Sequence, residues 1–294
     1  MSNLERRYRL LLKVLPRWYR EDREEEMVGL FLADRTDELD LEHSWPGWGE
    51  TGAMLALAIR TRFAASGAPS NAVRLGEVAR WLGVLGLLLG LKNVVHVVYG
   101  EIMFGTGEAP QWTAVLANFS PVVVIALLMR GHRTWAKVVA GAALVPWVVN
   151  AVTDPGPAGA ASVLWQLPTL MAFVALCLGF HREAPMPSRS VLWWCGGAVL
   201  VGAAELLVWG FNPVVLPVVV LAVRVYAYVS SAPALGRALS IFALSFLPDV
   251  VVTGVRGPAE LRVVFVVAAA LWLVSAAAPV GRVTRERVLR SRRP

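Results

Sequence analysis

The sequence predicts an all-α fold: a polytopic bundle of about eight transmembrane helices behind a small N-terminal cytosolic helical domain. Three observations point there. Of 294 residues, 56% are hydrophobic and only 17% charged, where a soluble domain carries about 25% charge. The mean hydropathy is +0.57. The charge is also unevenly placed: residues 1–77 hold 11 Lys/Arg and 13 Asp/Glu, leaving 17 basic and 8 acidic residues, a net of +9, to the apolar remainder. This composition excludes a disordered chain and a disulfide-stapled miniprotein. Direct nucleic-acid binding is not expected, because a binder's positive charge clusters on a solvated face. Three regions are expected: a helical prefix over 1–75, the bundle over 76–280, and a basic tail over 281–294.

In the prefix, Leu4, Tyr8, Leu11, Leu12 and Leu15 recur at helical spacing with Arg6, Arg7, Arg9 and Lys13 opposite, which predicts an amphipathic helix. Pro16 ends it and suits the first turn of a second helix. That helix has the stripe Trp18, Tyr19, Met27, Leu30 and Phe31, with acid in its early turns at Glu21, Asp22 and Glu24 to Glu26, where the helix dipole favours it. Asp34 to Glu42 predicts an acidic loop. A third helix is expected to start at Ser44-Trp45-Pro46 and to run through Met54, Leu55, Ala58, Ile59 and Phe63 until Gly67-Ala68-Pro69-Ser70 breaks it. Roughly 65 residues is near the lower limit for an independent core, so the prefix is expected to lean on the membrane or a partner. The first apolar run, Leu10 to Leu15, is interrupted by Lys13 and closed by Pro16; it does not predict a targeting peptide, and the N-terminus is expected in the cytosol.

The order Glu5-Arg6-Arg7-Tyr8-Arg9-Leu10-Leu11, Leu15-Pro16-Arg17-Trp18-Tyr19-Arg20, Arg23-Glu24-Glu25-Glu26-Met27 and Leu57-Ala58-Ile59-Arg60-Thr61-Arg62 resembles the prefix of actinobacterial polytopic membrane proteins with an N-terminal HAAS-type or permease-prefix helical domain. The resemblance covers about the first quarter of the chain. It implies a cytosolic regulatory unit, in a family where some members are associated with PadR-like transcriptional regulators and others precede transporter permease domains. It implies no catalytic residue. Two readings of the prefix stand: an amphipathic collar on the inner leaflet, or a module whose alternating Glu and Arg blocks bind a protein partner. The candidate partner-binding surface is Tyr8, Trp18, Tyr19, Glu25, Met27 and Phe31.

A spanning helix needs about 20 apolar residues. Eight candidates follow, near 79–99, 111–129, 134–152, 160–180, 190–210, 213–230, 235–253 and 261–279. The sixth and seventh are the least regular: Pro217 is expected to kink the sixth, and Arg224, Arg237 and Asp249 interrupt the pattern. With the N-terminus inside, 13 Lys/Arg flank the spans on the cytosolic side, from Arg80, Arg130, Arg133 and Lys137 to the six arginines between Arg282 and Arg293; only Arg256 and Arg262 fall outside. Both termini are therefore expected in the cytosol of a bacterial plasma membrane. A lysine count of three beside an arginine-rich remainder suggests a GC-rich bacterial genome. Trp81, Trp112, Trp135, Trp193, Trp194 and Trp209 fall near span ends, as interfacial anchors should. The tail would be drawn to anionic lipid headgroups at about 1 kcal/mol per arginine.

Ionisable groups inside spans cost about 2.5–3.5 kcal/mol each, so they are the default site candidates. Lys92 and His96 lie four apart on one helix face and can address the same carboxylate. Counted from the outer ends at about 1.5 Å per residue, Lys92, Glu205 and Asp249 lie at similar depth. The candidate intramembrane polar cluster is Lys92, His96, Glu205 and Asp249; the alternative is a structural Lys92–Glu205 pair with His96 and Asp249 reaching the headgroups. Arg224 is expected to snorkel to the cytosolic interface. Gly86 and Gly90 form a GxxxG pair that permits close helix contact, within the bundle or in a dimer. Cys177 and Cys195 lack metal-ligand spacing, and a disulfide is not expected in a reducing cytosol.

The chain has no HExxH, GxxxxGK[ST] or GxSxG, and its four histidines are dispersed, so no catalytic residue, metal or cofactor is expected. Two functional expectations remain. The first is a non-enzymatic signalling or regulatory membrane protein whose prefix binds a cytosolic protein. The alternative is a transporter or permease subunit with a polar path near Lys92, Glu205 and Asp249.

Overall fold

In the computed structural model, which describes residues 2–33, 45–64, 67–104, 112–153, 157–207, 213–256 and 259–278, every regular element among the described residues is helical: eleven α-helices and one short 3-10 turn. The chain divides into two compact units, Met1–Gly76 and Glu77–Pro294, and each has its own core.

In the first unit, α1 (Asn3–Leu12) starts where the Ser2 hydroxyl accepts from the Glu5 amide at 3.1 Å. That bond satisfies one of the free donors of the first turn. The chain then tightens, with Val14 and Leu15 donating to the carbonyls of Leu11 and Leu12, so α1 ends a turn earlier than the apolar stripe suggests. Pro16 leads into α2 (Arg17–Ala33), where Tyr19 and Arg20 both donate to its carbonyl. The acid of α2 lies beyond its first turn and serves ion pairs instead. Helix α3 (Trp48–Arg62) begins at an N-cap Gly47, not at Ser44-Trp45-Pro46, since Trp45 to Gly47 are not helical. Asp34 to Glu42 and Ser44 lie outside the described residues. Leu4, Tyr8, Leu12, Leu15, Val28, Met54 and Ala58 are buried, and all but Leu4 group into one cluster joined by half-buried Tyr19, Met27 and Phe31.

Helix α4 (Ser70–Phe104) runs 35 residues, about two-thirds longer than the span predicted inside it. Gly67, at φ +71°, makes the break expected of it, and Pro69 then offers its carbonyl to Ala72 and Val73, so the helix starts at once. Seven further helices follow: α5 (Trp112–Met129), α6 (Arg133–Thr153), α7 (Pro157–Gly179), α8 (Val191–Leu207), α9 (Val215–Val229), α10 (Pro233–Arg256) and α11 (Arg262–Ala277). All eight predicted spans coincide with helices. Two helical stretches, Ser70–Met103 and Pro233–Val255, are long and apolar enough to cross a membrane, and five shorter apolar helices accompany them among the described residues.

Within the second unit α4 lies between two apolar clusters. Val78, Leu82 and Leu85 meet Leu239, Phe242 and Trp272 on one side; Val84 and Leu88 meet Val124, Leu128 and Leu176 on the other. The GxxxG pair explains how the neighbours come so near. A Cβ on Gly86 would stand 1.8 Å from the Ala172 Cβ, and one on Gly90 would stand 2.4 Å from the Pro121 ring. Small residues here let backbones touch, and the seam lies within the bundle. Pro121, Pro146, Pro168 and Pro248 interrupt α5, α6, α7 and α10. Pro217, expected to kink its helix, falls in the first turn of α9, where a missing amide costs no intrahelical bond.

Trp81 and Trp194 meet edge to face at 6.1 Å, and Trp194 also meets Tyr226. Trp135 and Trp193 face outward, while the side chains of Trp112 and Trp209 lie outside the described residues. Arg133, counted as an orientation signal, organises the segment after α7. Its guanidinium donates to the carbonyls of His181, Arg182 and Ala184. The Arg256 side chain and the tail from Arg282 to Arg293 lie outside the described residues.

Candidate functional site

The polar cluster is built on α4 and α8. Gly202 brings α8 so close that a Cβ there would stand 2.8 Å from the Lys92 carbonyl oxygen. Three residues further along the same helix face, Glu205 is thereby set against α4. Its Oε2 lies 2.6 Å from the Lys92 Nζ, which donates to it, and 3.0 Å from the His96 Nε2. Lys92 and His96 thus reach one oxygen from successive turns of α4, and His96 also hydrogen-bonds the Gly202 backbone. Lys92 and Glu205 are 4% and 3% exposed. At such burial a lone charge would be strongly destabilising, so each partner offsets the desolvation cost of the other.

Asp249 is not part of this ion cluster. It sits on α10 directly after Pro248, hydrogen-bonded to Thr253 four residues on. It nonetheless faces the same space. A cavity of about 190 Å³ is lined by Lys92 and Asn93 of α4, Thr169 of α7, Glu205 of α8, and Phe246, Asp249 and Thr253 of α10, with Phe265 and Trp272 of α11. Phe246 and Trp272 lie parallel with ring centres 4.6 Å apart. A second cavity, about 270 Å³, is lined by His96, Asn93, Asn118, Ser120 and Trp147. Asn93 and Thr169 line both, so the ion cluster stands in the wall between two spaces.

Sequence reasoning missed the aromatic wall. Phe246, Phe265 and Trp272 are apolar residues inside apolar helices, and nothing in their spacing sets them apart. Thr253 carried a weak signal, a hydroxyl one turn beyond a carboxylate in an apolar helix. Arg224 requires correction: it does not snorkel outward but is 2% exposed, with its guanidinium donating to the Ala278 carbonyl at the end of α11. Counting residues from a span end gives depth, whereas the helix face decides whether a side chain meets protein. Both cysteines are free thiols.

In the first unit the predicted partner surface divides. Tyr8 is a core residue, 3% exposed, its ring stacked on Phe31 at 3.8 Å. Burial, then the nearby charge of Glu50, raises its phenol pKa above the usual value. Tyr19, Met27 and Phe31 pack half-buried against the same cluster, so Tyr8 is closed to a partner while these three keep part of their surface open. Trp18 is half-buried, edge-on to Tyr19 at 5.6 Å. Glu25 is exposed but engaged: Arg9 grips it through two bonds of 2.8 and 3.0 Å and also reaches Glu5 and Glu24. The hydrogen bond from Arg9 holds the Glu25 carboxyl below the usual glutamate range. The outward apolar residues include Leu10, Leu30, Trp45, Trp48, Leu55 and Ile59, and Trp48, Leu55 and Ile59 share one face of α3.

Comparison with protein-family models, with curated proteins and with solved structures returned no match.

Proposed function

We propose that this chain is a multi-spanning, non-enzymatic protein of a bacterial plasma membrane, with both ends in the cytosol, that binds a small ligand in the cavity beside Lys92 and Glu205 and signals through its helical prefix. The observation that carries the membrane reading is the burial pattern of the second unit. Lys92, Glu205 and Arg224 are within, while Leu200, Leu207, Val263 and Val266 are 71%, 85%, 71% and 67% exposed. Outward apolar side chains on this scale are costly in water and favourable in hydrocarbon. Inward charges are what a bilayer requires. The Lys/Arg distribution supports the orientation, and the arginine tail is proposed to rest on anionic headgroups.

The ligand reading rests on Lys92, Glu205 and Asp249 lining one space. The prefix, through its resemblance to HAAS-type and permease-prefix domains, is proposed to bind a cytosolic regulatory protein of the PadR-like kind. The exposed face of Trp48, Leu55 and Ile59 is the surface in place of the buried Tyr8 stripe. Photo-crosslinking from position 55 in whole cells tests this: a discrete protein adduct is expected, and adducts with lipid alone would overturn it. A second reading, a transporter or permease subunit, is favoured by the cavity being shared by residues of α4, α7, α8, α9, α10 and α11. Uptake of a bound ligand into proteoliposomes would select the transporter; saturable binding without uptake would select the sensor.

A further inference from the structure

The class of ligand can be read from the walls of the smaller cavity, an inference that rests on the ligand-binding reading above. We infer that this cavity is a site for a small organic monocation, held by the Asp249 carboxylate and the aromatic side chains of Phe246, Phe265 and Trp272. The charges facing the space are Lys92, Glu205 and Asp249. Lys92 and Glu205 neutralise each other at 2.6 Å. Asp249 has Thr253 as its hydrogen-bond donor, and among the described residues no cation forms an ion pair with it. The cavity therefore presents one carboxyl group with no charged partner among the described residues, and a bound cation would stabilise its ionised form.

A carboxylate ligand would meet Glu205 and Asp249 with only a lysine that is already paired, so an anion is disfavoured. A metal ion is disfavoured for a different reason: no group of three or more His, Cys, Asp or Glu side chains is assembled for one among the described residues. An organic cation needs fewer oxygen ligands, because its charge is spread over alkyl groups that aromatic faces attract. Phe246 and Trp272, stacked parallel, and Phe265 form such a wall beside the carboxylate. At about 190 Å³ the space is smaller than the roughly 300–1,000 Å³ of drug-sized sites, which sets the ligand at the size of a short-chain ammonium.

The test is binding to the full chain in lipid nanodiscs, using choline, its neutral isostere 3,3-dimethylbutan-1-ol and the anionic isostere 3,3-dimethylbutanoate as probes. Saturable binding of choline is expected, well above that of either isostere. Asp249→Asn, which keeps shape and removes charge, is expected to weaken choline binding by roughly tenfold or more. Phe246→Leu, which keeps bulk and removes the ring, is expected to weaken it roughly three- to tenfold. Unchanged ligand-free melting temperatures would separate these losses from misfolding. Equal binding of choline and the neutral alcohol, preference for the carboxylate, or choline binding that survives Asp249→Asn would overturn the cation site while leaving a ligand cavity standing. Binding of none of the three would overturn both.

Discussion

The two units of this chain use the same residue types in opposite senses. In the first, apolar side chains such as Leu4, Leu12 and Leu15 are inside, and Arg9, Glu25, Arg17 and Glu21 pair on the surface. In the second, Leu200, Leu207 and Val263 are outside while Lys92, Glu205 and Arg224 are inside. The proposed membrane setting of the second unit accounts for the difference: water rewards burial of carbon, and hydrocarbon rewards burial of charge. A surface ion pair and a buried one are therefore different objects. The first contributes little; the second is costly to break because its desolvation is already complete.

That contrast can be broken most sharply at the buried pair. Glu205→Leu leaves Lys92 unpaired and is expected to destabilise the second unit by about 3–5 kcal/mol. Adding Lys92→Met should restore most of the loss, because no stranded charge remains. Denaturant titration of the purified protein in micelles reads both, and a double variant no better than the single one would contradict the account. In the first unit, where carbon forms the core, Leu12→Ala is expected to cost about 3 kcal/mol, seen as faster hydrogen exchange across α1 and α2 in the full chain. No change in exchange there would mean Leu12 is not a core residue.

Smaller effects sharpen the comparison further. Gly86→Val inserts side-chain atoms where Ala172 already stands, and overpacking of this kind costs about 1–3 kcal/mol; a variant of wild-type stability would show that α4 and α7 are not in contact there. The smallest effect belongs to the exposed pair. The Glu25 carboxyl is held below the ordinary glutamate value of 4.5, so its contribution is present above that value and is lost as the pH falls through its lowered folded value. Glu25→Gln is thus expected to raise exchange slightly in α1 and α2 at neutral pH and to make no difference in acid, where the carboxylate is protonated in either state. Equal differences at both pH values would sink the pairing as the cause.

The helices were legible because apolar runs, Pro16, Pro69 and Gly67 are local signals. The meeting of Lys92 and His96 with Glu205 was legible in part, since spacing puts the first two on one face and depth counting aligns the third. Asp249 aligned in depth as well, yet it faces the cavity from α10 without joining the ion pair. Tyr8 and Phe31 read as surface because an amphipathic stripe does not say what covers it; here each ring covers the other. Arg224 was misplaced because the Ala278 carbonyl that receives it comes from another helix. The aromatic wall was invisible for the same reason, as a cavity belongs to several helices at once.

The central claim, that the second unit is a charge-inside bundle crossing the membrane an even number of times, is tested most directly by paired reporter fusions after Glu108, after Asp154 and at the C-terminus. A reporter active only outside the cytosol should be on at the first two positions and off at the third, with the cytosolic reporter giving the reverse. A C-terminal fusion active outside the cytosol, or a chain released from membranes by alkaline carbonate, would contradict the account.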